Sequence, residues 1–191
     1  MPKVRMLIIV EMLSVDAYVY CSIFCDSMQF VMKGKNKKVY VLLHNIRSTH
    51  NVGSIFRTAD ALGVTKIFLS GYTPTPLDKF GRARKDVAKV ALGAEKTLEW
   101  EYAENPKKIL EKLKKETYQI VALEQSQGSV DYKKVKIKYP VVFVVGNEVD
   151  GISADILSLC DTVAEIPMRG AKESLNVSVA FGVGLFRMLN I

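Results

Sequence analysis

The chain alternates short β-branched apolar runs with segments of helical periodicity, and this alternation limits its fold more than any other feature. Five runs predict strands, at 39–43, 66–70, 119–123, 140–145 and 162–166. Continuous apolar runs are typical of parallel strands buried on both faces. Helices are predicted at about 51–62, near 86–92, from 105, from 153 and at about 175–189. The pattern therefore predicts an α/β domain with a mainly parallel sheet and helices on both of its faces.

Several helix ends carry their own signals. Asn51 occupies the position expected for the N-cap of the first helix, and Gly63 that of a C-terminal glycine. Asn105 followed by Pro106 favours a helix start. The last segment, from about Leu175, is apolar nearly all round, which predicts a buried or interface helix.

Composition narrows the function. The 191 residues are 49% hydrophobic, enough for one domain with a sizeable core. A formal net charge of +7 favours an acidic partner such as RNA, DNA or an anionic membrane surface. The three cysteines, Cys21, Cys25 and Cys160, are scattered, and with only two histidines they offer no metal-ligand spacing. We expect a cytoplasmic protein without a structural metal.

Residues 1–38 differ from the rest of the chain. Glu11, Asp16 and Asp26 interrupt their apolar runs, so none reaches the ~20 residues of a membrane span. Glu11 likewise interrupts what would be the apolar part of a signal peptide. The segment ends in the charged stretch KGKNKK (33–38), which is typical of a linker. We expect an N-terminal extension, either an added surface element or a poorly ordered tail, followed by a domain over 39–191.

Two loops follow predicted strands, where open α/β sheets bind their ligands. The first is GNEVDGIS (146–153), in which Gly146 and Gly151 bracket a tight turn. The second runs through PMRGAKESLN (167–176). Their polar residues also have structural interpretations, since Glu148 suits a turn and Ser174 an N-cap. Neither loop is a G-x-G-x-x-G or G-x-x-x-x-G-K-[ST] fingerprint, which disfavours a nicotinamide dehydrogenase or an NTPase.

Three stretches occur in order along the chain: HNIRSTHNVGSIFRTADALGV (44–64), VVFVVGNEVDGIS (141–153) and IPMRGAKESLNVSVAFGVGLF (166–186). Together they resemble the three sequence motifs of the SpoU/TrmH family of SPOUT RNA methyltransferases. The similarity covers roughly residue 39 to the C-terminus. The resemblance implies a C-terminal segment threaded into a trefoil knot, S-adenosylmethionine as the cofactor, and a homodimer in which the last helix packs near its partner.

The resemblance also assigns site residues. Those implied for catalysis are Asn51, Arg57, Glu148, Ser174 and Asn176. Those implied to contact the cofactor, mostly through the backbone, are Leu123, Glu124, Gly146, Ile166, Met168, Ser174 and Leu175. None of the catalytic positions departs from the family pattern, which favours an active enzyme.

The reaction that the resemblance implies is methylation of the 2′-hydroxyl of an RNA ribose. Arg57 is its principal residue, although a guanidinium stays protonated in proteins and is a poor base. Two roles therefore stay open: proton removal in special surroundings, or holding the adjacent phosphate and stabilising the developing alkoxide. Asn51 and Asn176 would orient the arginine or the ribose. Ser174 would support the substrate, and Glu148 would hold the loop or the arginine.

A basic segment after the second predicted strand is a candidate RNA-binding loop, although a solvated loop would look similar. Its residues are Lys79, Phe80, Arg82, Arg84, Lys85 and Lys89. Basic side chains bind phosphate, and an aromatic ring can stack on an unpaired base. Some members of the family that the motifs resemble carry a separate N-terminal RNA-binding domain, and 38 residues are too few for one of ordinary size, so the resemblance favours tRNA over rRNA. The other hypotheses are a non-catalytic RNA-binding module with the same fold and a small-molecule methyltransferase.

Overall fold

A computed structural model describes residues 37–147 and 149–191. In this part of the chain one sheet contains seven strands: β1 Val39–His44, β2 Lys66–Ser70, β3 Glu99–Ala103, β4 Gln119–Leu123, β5 Val130–Asp131, β6 Val141–Val145 and β7 Thr162–Glu165. The helices are α1 Thr49–Ala61, α2 Lys85–Ala91, α3 Ala94–Thr97, α4 Pro106–Lys115, α5 Ala154–Leu157 and α6 Val177–Leu189. The strand order is β3-β2-β1-β6-β4-β7-β5, and each neighbouring pair is parallel. The predicted α/β fold is confirmed.

Alternate residues of a strand point to opposite faces of the sheet. In the central strands both sets of side chains are buried, because helices cover both faces. Val41 and Leu43 of β1 belong to a core that also contains residues of α1, α2, α3 and α6. Leu42, between them, belongs to a second core with α4 and α5. Two apolar layers thus flank the sheet, which explains why the strand sequences are continuously apolar.

Two strands were missing from the sequence prediction. β3 reads EWEYA and lies at the edge of the sheet, where Lys66 of β2 holds both of its carboxylates, at 2.7 Å from Glu99 and 2.8 Å from Glu101. β3 lacks the continuous apolar run that predicted strands elsewhere in the chain, because an edge strand needs fewer apolar side chains than a central one. β5, at the other edge, has only two residues and is too short for a periodic signal. Helix α3, with four residues, was also missed.

The helix ends differ from the prediction at one important residue. The N-cap of α1 is Ser48, whose side chain accepts a hydrogen bond from the Asn51 backbone, so the prediction of Asn51 as the cap was wrong. The cap therefore lies three residues earlier, which leaves the Asn51 side chain able to face another element. Gly63 follows α1 with a φ of +66°, and Asn105 caps α4, as predicted.

The last helix begins at Val177, two residues later than expected, and its N-cap is Asn176 rather than Ser174. One side of it is buried, whereas Val179, Val183 and Phe186 form an exposed apolar stripe on the other. Among the described residues no helix is long and apolar enough to cross a membrane. The predicted extension up to residue 36, with Cys21 and Cys25, lies outside the described residues.

Candidate active site

A cavity of about 490 Å³ opens at the carboxyl ends of β4, β6 and β7. All seven residues predicted to contact the cofactor line it: Leu123, Glu124, Gly146, Ile166, Met168, Ser174 and Leu175. They come from three separate parts of the chain, which the sheet order brings together because β4 lies between β6 and β7. The cavity is of the size that proteins use for small organic ligands.

One wall of the cavity is the tight turn that follows β6. Asn147 and Gly151 exchange backbone hydrogen bonds across it, at 3.3 Å and 3.1 Å. A Cβ atom on Gly146 would lie 2.5 Å from Ile152 Cγ1 and 2.8 Å from the Gly151 backbone. The turn can therefore close only with glycine at position 146.

Glu124 braces this turn from the neighbouring strand. Its Oε2 accepts a hydrogen bond from the Ile152 backbone at 2.9 Å, and its Oε1 accepts one from Gln125. Its own backbone N–H donates to Ala164 of β7. The carboxylate thus ties the end of β4 to the turn after β6, and fixes two sides of the cavity.

The side chain of Asn147 is the centre of the turn. Its Oδ1 accepts hydrogen bonds from the backbone of Val149 and Asp150, at 2.7 Å and 2.8 Å. Its Nδ2 donates to the Asn45 carbonyl at 3.0 Å and to the Tyr72 hydroxyl at 2.6 Å. These four bonds use the full capacity of a carboxamide, and the residue is buried.

The cavity fits S-adenosylmethionine, the cofactor that the family resemblance implies. Apolar side chains of Leu123, Val145 and Ile166 can contact a flat heterocycle, while the loops expose backbone polar groups. Gly146 lines the cavity without a side chain, so only its backbone contributes to the wall at this point. Among the residues described, no cluster of three or more potential metal ligands occurs.

Two of the catalytic candidates, Asn51 and Asn176, lie where α1 and α6 meet. Asn176 Nδ2 donates to Asn51 Oδ1 at 3.1 Å, while Asn176 Oδ1 accepts from Ser178 and caps α6. Gly182 of α6 lies beside Thr58 of α1, so the two helices run side by side in the same direction. The structure therefore brings together two of the five predicted residues.

The other three catalytic candidates have different surroundings. Arg57, on the middle turn of α1, has an exposed side chain. Ser174 is exposed and lines the cavity. Glu148 lies outside the described residues.

The predicted RNA-binding segment forms a small loop closed by an antiparallel bridge between Leu77 and Ala83. Phe80 at its tip is 68% exposed, and Lys79 and Arg82 lie 5.0 Å and 4.9 Å from its ring centroid. Arg82 also pairs with Asp78 at 2.9 Å. Such exposed pairs are worth little, so the arginine can exchange its carboxylate for a phosphate.

The remaining predicted RNA-binding residues lie at and after the end of this loop. Arg84 pairs with Asp86 at 3.0 Å, and it precedes α2. Lys85 and Lys89 are exposed on α2. The basic side chains thus lie along one continuous stretch of loop and helix.

Sequence reasoning missed a polar network that adjoins the cavity. His44 Nε2 lies 3.1 Å from Asn45 Nδ2, and His44 Nδ1 lies 2.8 Å from Ser70 Oγ. Burial lowers the pKa of His44, with the charge of Asp155 partly opposing it. A neutral ring fits both contacts, because Nε2 can then accept from Asn45 while Nδ1–H donates to Ser70. The adjacent polar pair His44–Asn45 at the end of an apolar strand was the available signal.

Comparisons with known proteins show which family this chain resembles over nearly its whole described domain. Residues 38–186 match the model of the SpoU rRNA Methylase family. The tRNA (guanosine(18)-2′-O)-methyltransferase of Aquifex aeolicus is 36% identical over 156 residues, which cover 82% of this chain and 71% of the relative. The 23S rRNA (guanosine-2′-O-)-methyltransferase of Pseudomonas aeruginosa is 32% identical over 161 residues, which cover 84% of this chain and 62% of the relative.

Solved structures extend the similarity to the fold. The AdoMet-bound rRNA methyltransferase from Sinorhizobium meliloti superposes with a TM-score of 0.72 at 29% identity, over 82% of this chain and 57% of that one. The chain thus spans less than two thirds of the length of two of these three proteins. The resemblance drawn from the three sequence motifs is confirmed, and the chain belongs to the SpoU rRNA methylase family.

Proposed function

We propose that this protein is an S-adenosylmethionine-dependent RNA methyltransferase that acts on a ribose 2′-hydroxyl. The observation that carries the proposal is the convergence of all seven predicted cofactor-contacting residues on one cavity. Membership of an rRNA methylase family supports an enzyme over the non-catalytic RNA-binding module, and an RNA substrate over the small molecule of the third hypothesis.

When bound, S-adenosylmethionine supplies a methyl group that is already electrophilic. The protein then has to align the ribose hydroxyl for in-line attack, accommodate the charge that develops on its oxygen, and let its proton leave. The methyl group would pass from the cofactor sulfur to the ribose oxygen, so that the S–CH₃ bond breaks as the O–CH₃ bond forms, S-adenosylhomocysteine leaves, and the hydroxyl proton passes to water. The hydrogen-bonded pair of Asn51 and Asn176 provides a fixed polar surface between α1 and α6 for orienting the ribose.

We assign Arg57 to the negative charges of the substrate, which are the phosphate and the alkoxide that develops on the ribose. Its exposed guanidinium can hold the phosphate next to the target ribose and stabilise the developing alkoxide, since it donates hydrogen bonds in a fixed fork. Glu148 and Ser174 are assigned to the support of the loops, Ser174 from the rim of the cavity. No metal takes part in this scheme.

The substrate is assigned as RNA, with tRNA favoured over rRNA. The relative named as a tRNA enzyme is 36% identical and the relative named as an rRNA enzyme 32% identical, so identity only leans towards tRNA. The loop around Phe80 and the basic residues from Lys79 to Lys89 are assigned to the RNA backbone and to an unpaired base.

Three further features are part of the proposal. The family resemblance supports a trefoil knot in the C-terminal segment. The exposed stripe of Val179, Val183 and Phe186 supports a homodimer, because apolar helix faces of this kind are typically covered by a partner. We place the protein in the cytoplasm, where its proposed RNA substrates are made or used.

The test is transfer of labelled methyl groups from S-adenosylmethionine to RNA by the wild type, Arg57→Ala and Arg57→Lys. We expect the wild type to label RNA and Arg57→Ala to be slower by about 100-fold or more, the usual cost of removing a group that stabilises an oxyanion. Arg57→Lys should recover part of the rate because it keeps the charge.

Two measurements separate a catalytic role from a structural one. Affinity for S-adenosylhomocysteine and the melting temperature should be nearly the same in all three proteins, since Arg57 does not line the cavity. If Arg57→Ala unfolds but keeps its activity per folded molecule, Arg57 is a structural residue. If the wild type binds RNA without methylating it, the enzyme proposal fails.

A further inference from the structure

Tyr72 lies between the two surfaces that the proposed reaction needs. It follows β2 by two residues and therefore lies at the carboxyl ends of the strands, where the cofactor cavity also opens. Its side chain is 54% exposed, yet its hydroxyl accepts the 2.6 Å hydrogen bond from Asn147 Nδ2. One end of the side chain therefore faces solvent, and the other contacts a residue that lines the cavity.

The backbone of Tyr72 is held in place by Asn45, which has a left-handed backbone conformation that few residues adopt. Asn45 has a φ of +59°, and its Oδ1 accepts a hydrogen bond from the Tyr72 N–H at 3.3 Å. A Cβ atom on Gly71 would lie 1.8 Å from that same oxygen, so glycine is required before the tyrosine. Tyr102 donates from its hydroxyl to the Gly71 carbonyl at 2.8 Å. The ring is thus anchored through its backbone as well as its hydroxyl.

Asn45, Tyr72 and Asn147 form a closed ring of hydrogen bonds. Asn147 donates to both the Asn45 carbonyl and the Tyr72 hydroxyl, and Asn45 in turn accepts from the Tyr72 backbone. Because the Asn147 carboxamide also holds Val149 and Asp150, a change at Tyr72 reaches the turn that forms one wall of the cavity.

Exposed aromatic side chains accompany Tyr72 on the neighbouring strand, where Tyr102 bonds to Gly71, and in the loop that follows Tyr72 along the chain. Tyr102, at the end of the neighbouring strand, and Phe80 are also exposed, and Lys79 and Arg82 lie against the Phe80 ring. Exposed aromatic rings among basic side chains bind unpaired nucleotides by stacking and by phosphate contact.

We propose that Tyr72 is a positioning residue shared by the two sites: its ring stacks on the RNA substrate, and its hydroxyl holds the Asn147 turn in the shape that binds the cofactor. This inference rests on the proposed function. Substrate RNA seated on the ring and cofactor seated against the turn then stabilise the same side-chain conformation.

The experiment compares Tyr72→Phe, Tyr72→Leu and, as a matched control, Tyr139→Phe. Tyr139 lies next to Pro140, which directly precedes β6. It is therefore at the amino ends of the strands, opposite the end at which the cavity opens. For each full-length protein, calorimetry gives the dissociation constant of S-adenosylhomocysteine, and filter binding gives that of unfractionated tRNA.

Tyr72→Phe keeps the ring but leaves a buried N–H of Asn147 without its acceptor. It should weaken S-adenosylhomocysteine binding by about 3- to 10-fold and leave tRNA binding within about twofold. Tyr72→Leu should weaken both, with tRNA binding reduced by about 5-fold or more because the stacking surface is lost. Tyr139→Phe should change neither constant.

A double-mutant cycle checks that the effect passes through Asn147. In an Asn147→Ala background, Tyr72→Phe should not weaken S-adenosylhomocysteine binding further. The inference is overturned if Tyr72→Phe binds S-adenosylhomocysteine like the wild type, or if Tyr72→Leu binds tRNA like the wild type. If instead the wild type binds no S-adenosylhomocysteine, the proposed function itself fails and this inference fails with it.

Discussion

The residue with the most informative environment outside the cavity is His44. Its two ring nitrogens contact Asn45 and Ser70, and burial lowers its pKa below the ordinary value of 6.5. The neutral ring lets Nε2 accept from Asn45, the residue that also anchors the Tyr72 backbone. Protonation of His44 would turn that acceptor into a donor facing the Asn45 amide.

This environment predicts how stability depends on pH. Because the pKa of His44 is lower in the folded protein than in the unfolded chain, the unfolded chain binds the proton first as the pH falls. The histidine therefore contributes stability above pH 6.5, and this contribution is lost progressively below that value, down to the folded pKa. Urea unfolding at several values between pH 7.5 and 5 should show a falling free energy of unfolding.

His44→Gln is the control for this prediction. It cannot titrate, so its free energy of unfolding should fall less over the same pH range. Asp155, whose pKa is held at about 2 mainly by Lys107 and then by Ser153, acts only at more acid pH and does not overlap with this window. Equal pH slopes for the wild type and His44→Gln would show that the pKa of His44 does not differ between the folded and unfolded chain.

Helix α6 is the element that joins the proposed site to the proposed dimer. Asn176 at its N-terminus bonds to Asn51, and its buried side packs in the core through Phe181 and Leu185. Its other side exposes Val179 at 49% and Val183 at 44%. A partner seated on this stripe would bury the apolar side chains and add stability of roughly 25 cal/mol for each Å² covered.

The dimer predicts the effect of a charge on that stripe. Val183→Glu should convert the protein to a monomer at micromolar concentration, because a carboxylate without a partner resists burial in an apolar interface. Light scattering coupled to size exclusion measures the mass. Val130→Glu places the same charge at an exposed valine of β5 and should leave the mass unchanged. A monomeric wild type, or a dimeric Val183→Glu, would contradict the proposed interface.

Elements with strong local signals could be predicted from the sequence, and the others could not. The β2 and β4 bounds agree because their continuous apolar runs end at polar residues, Ser70 in β2 and Glu124 after β4. The cap of α1 was assigned to Asn51 because asparagine is a good cap, but Ser48 is equally suited and lies one turn earlier. β3 and β5 are edge strands whose pairing depends on neighbours rather than on their own composition.

At the scale of the whole molecule, the site depends on contacts between distant parts of the chain. The second and third motifs contain five of the seven predicted cavity residues, because each of these motifs includes the loop after a strand, whereas Leu123 and Glu124 lie at the end of β4 outside the motifs. The Asn147 bonds to Tyr72 and Asn45 join residues 75 and 102 positions apart, and no local pattern predicts such a pair. The sheet order creates these contacts, since β6 lies between β1 and β4 and carries its turn to both.

The central claim is that the cavity and the residues beside it direct a methyl group to a ribose oxygen of RNA. The most direct measurement is mass spectrometry of the nucleosides from RNA that the purified protein has modified with labelled S-adenosylmethionine. We expect a nucleoside whose label stays on the sugar when the base is cleaved off, and we expect the phosphodiester on the 3′ side of that nucleotide to resist alkali. Label on the base, or label only in a product that is not RNA, would contradict it.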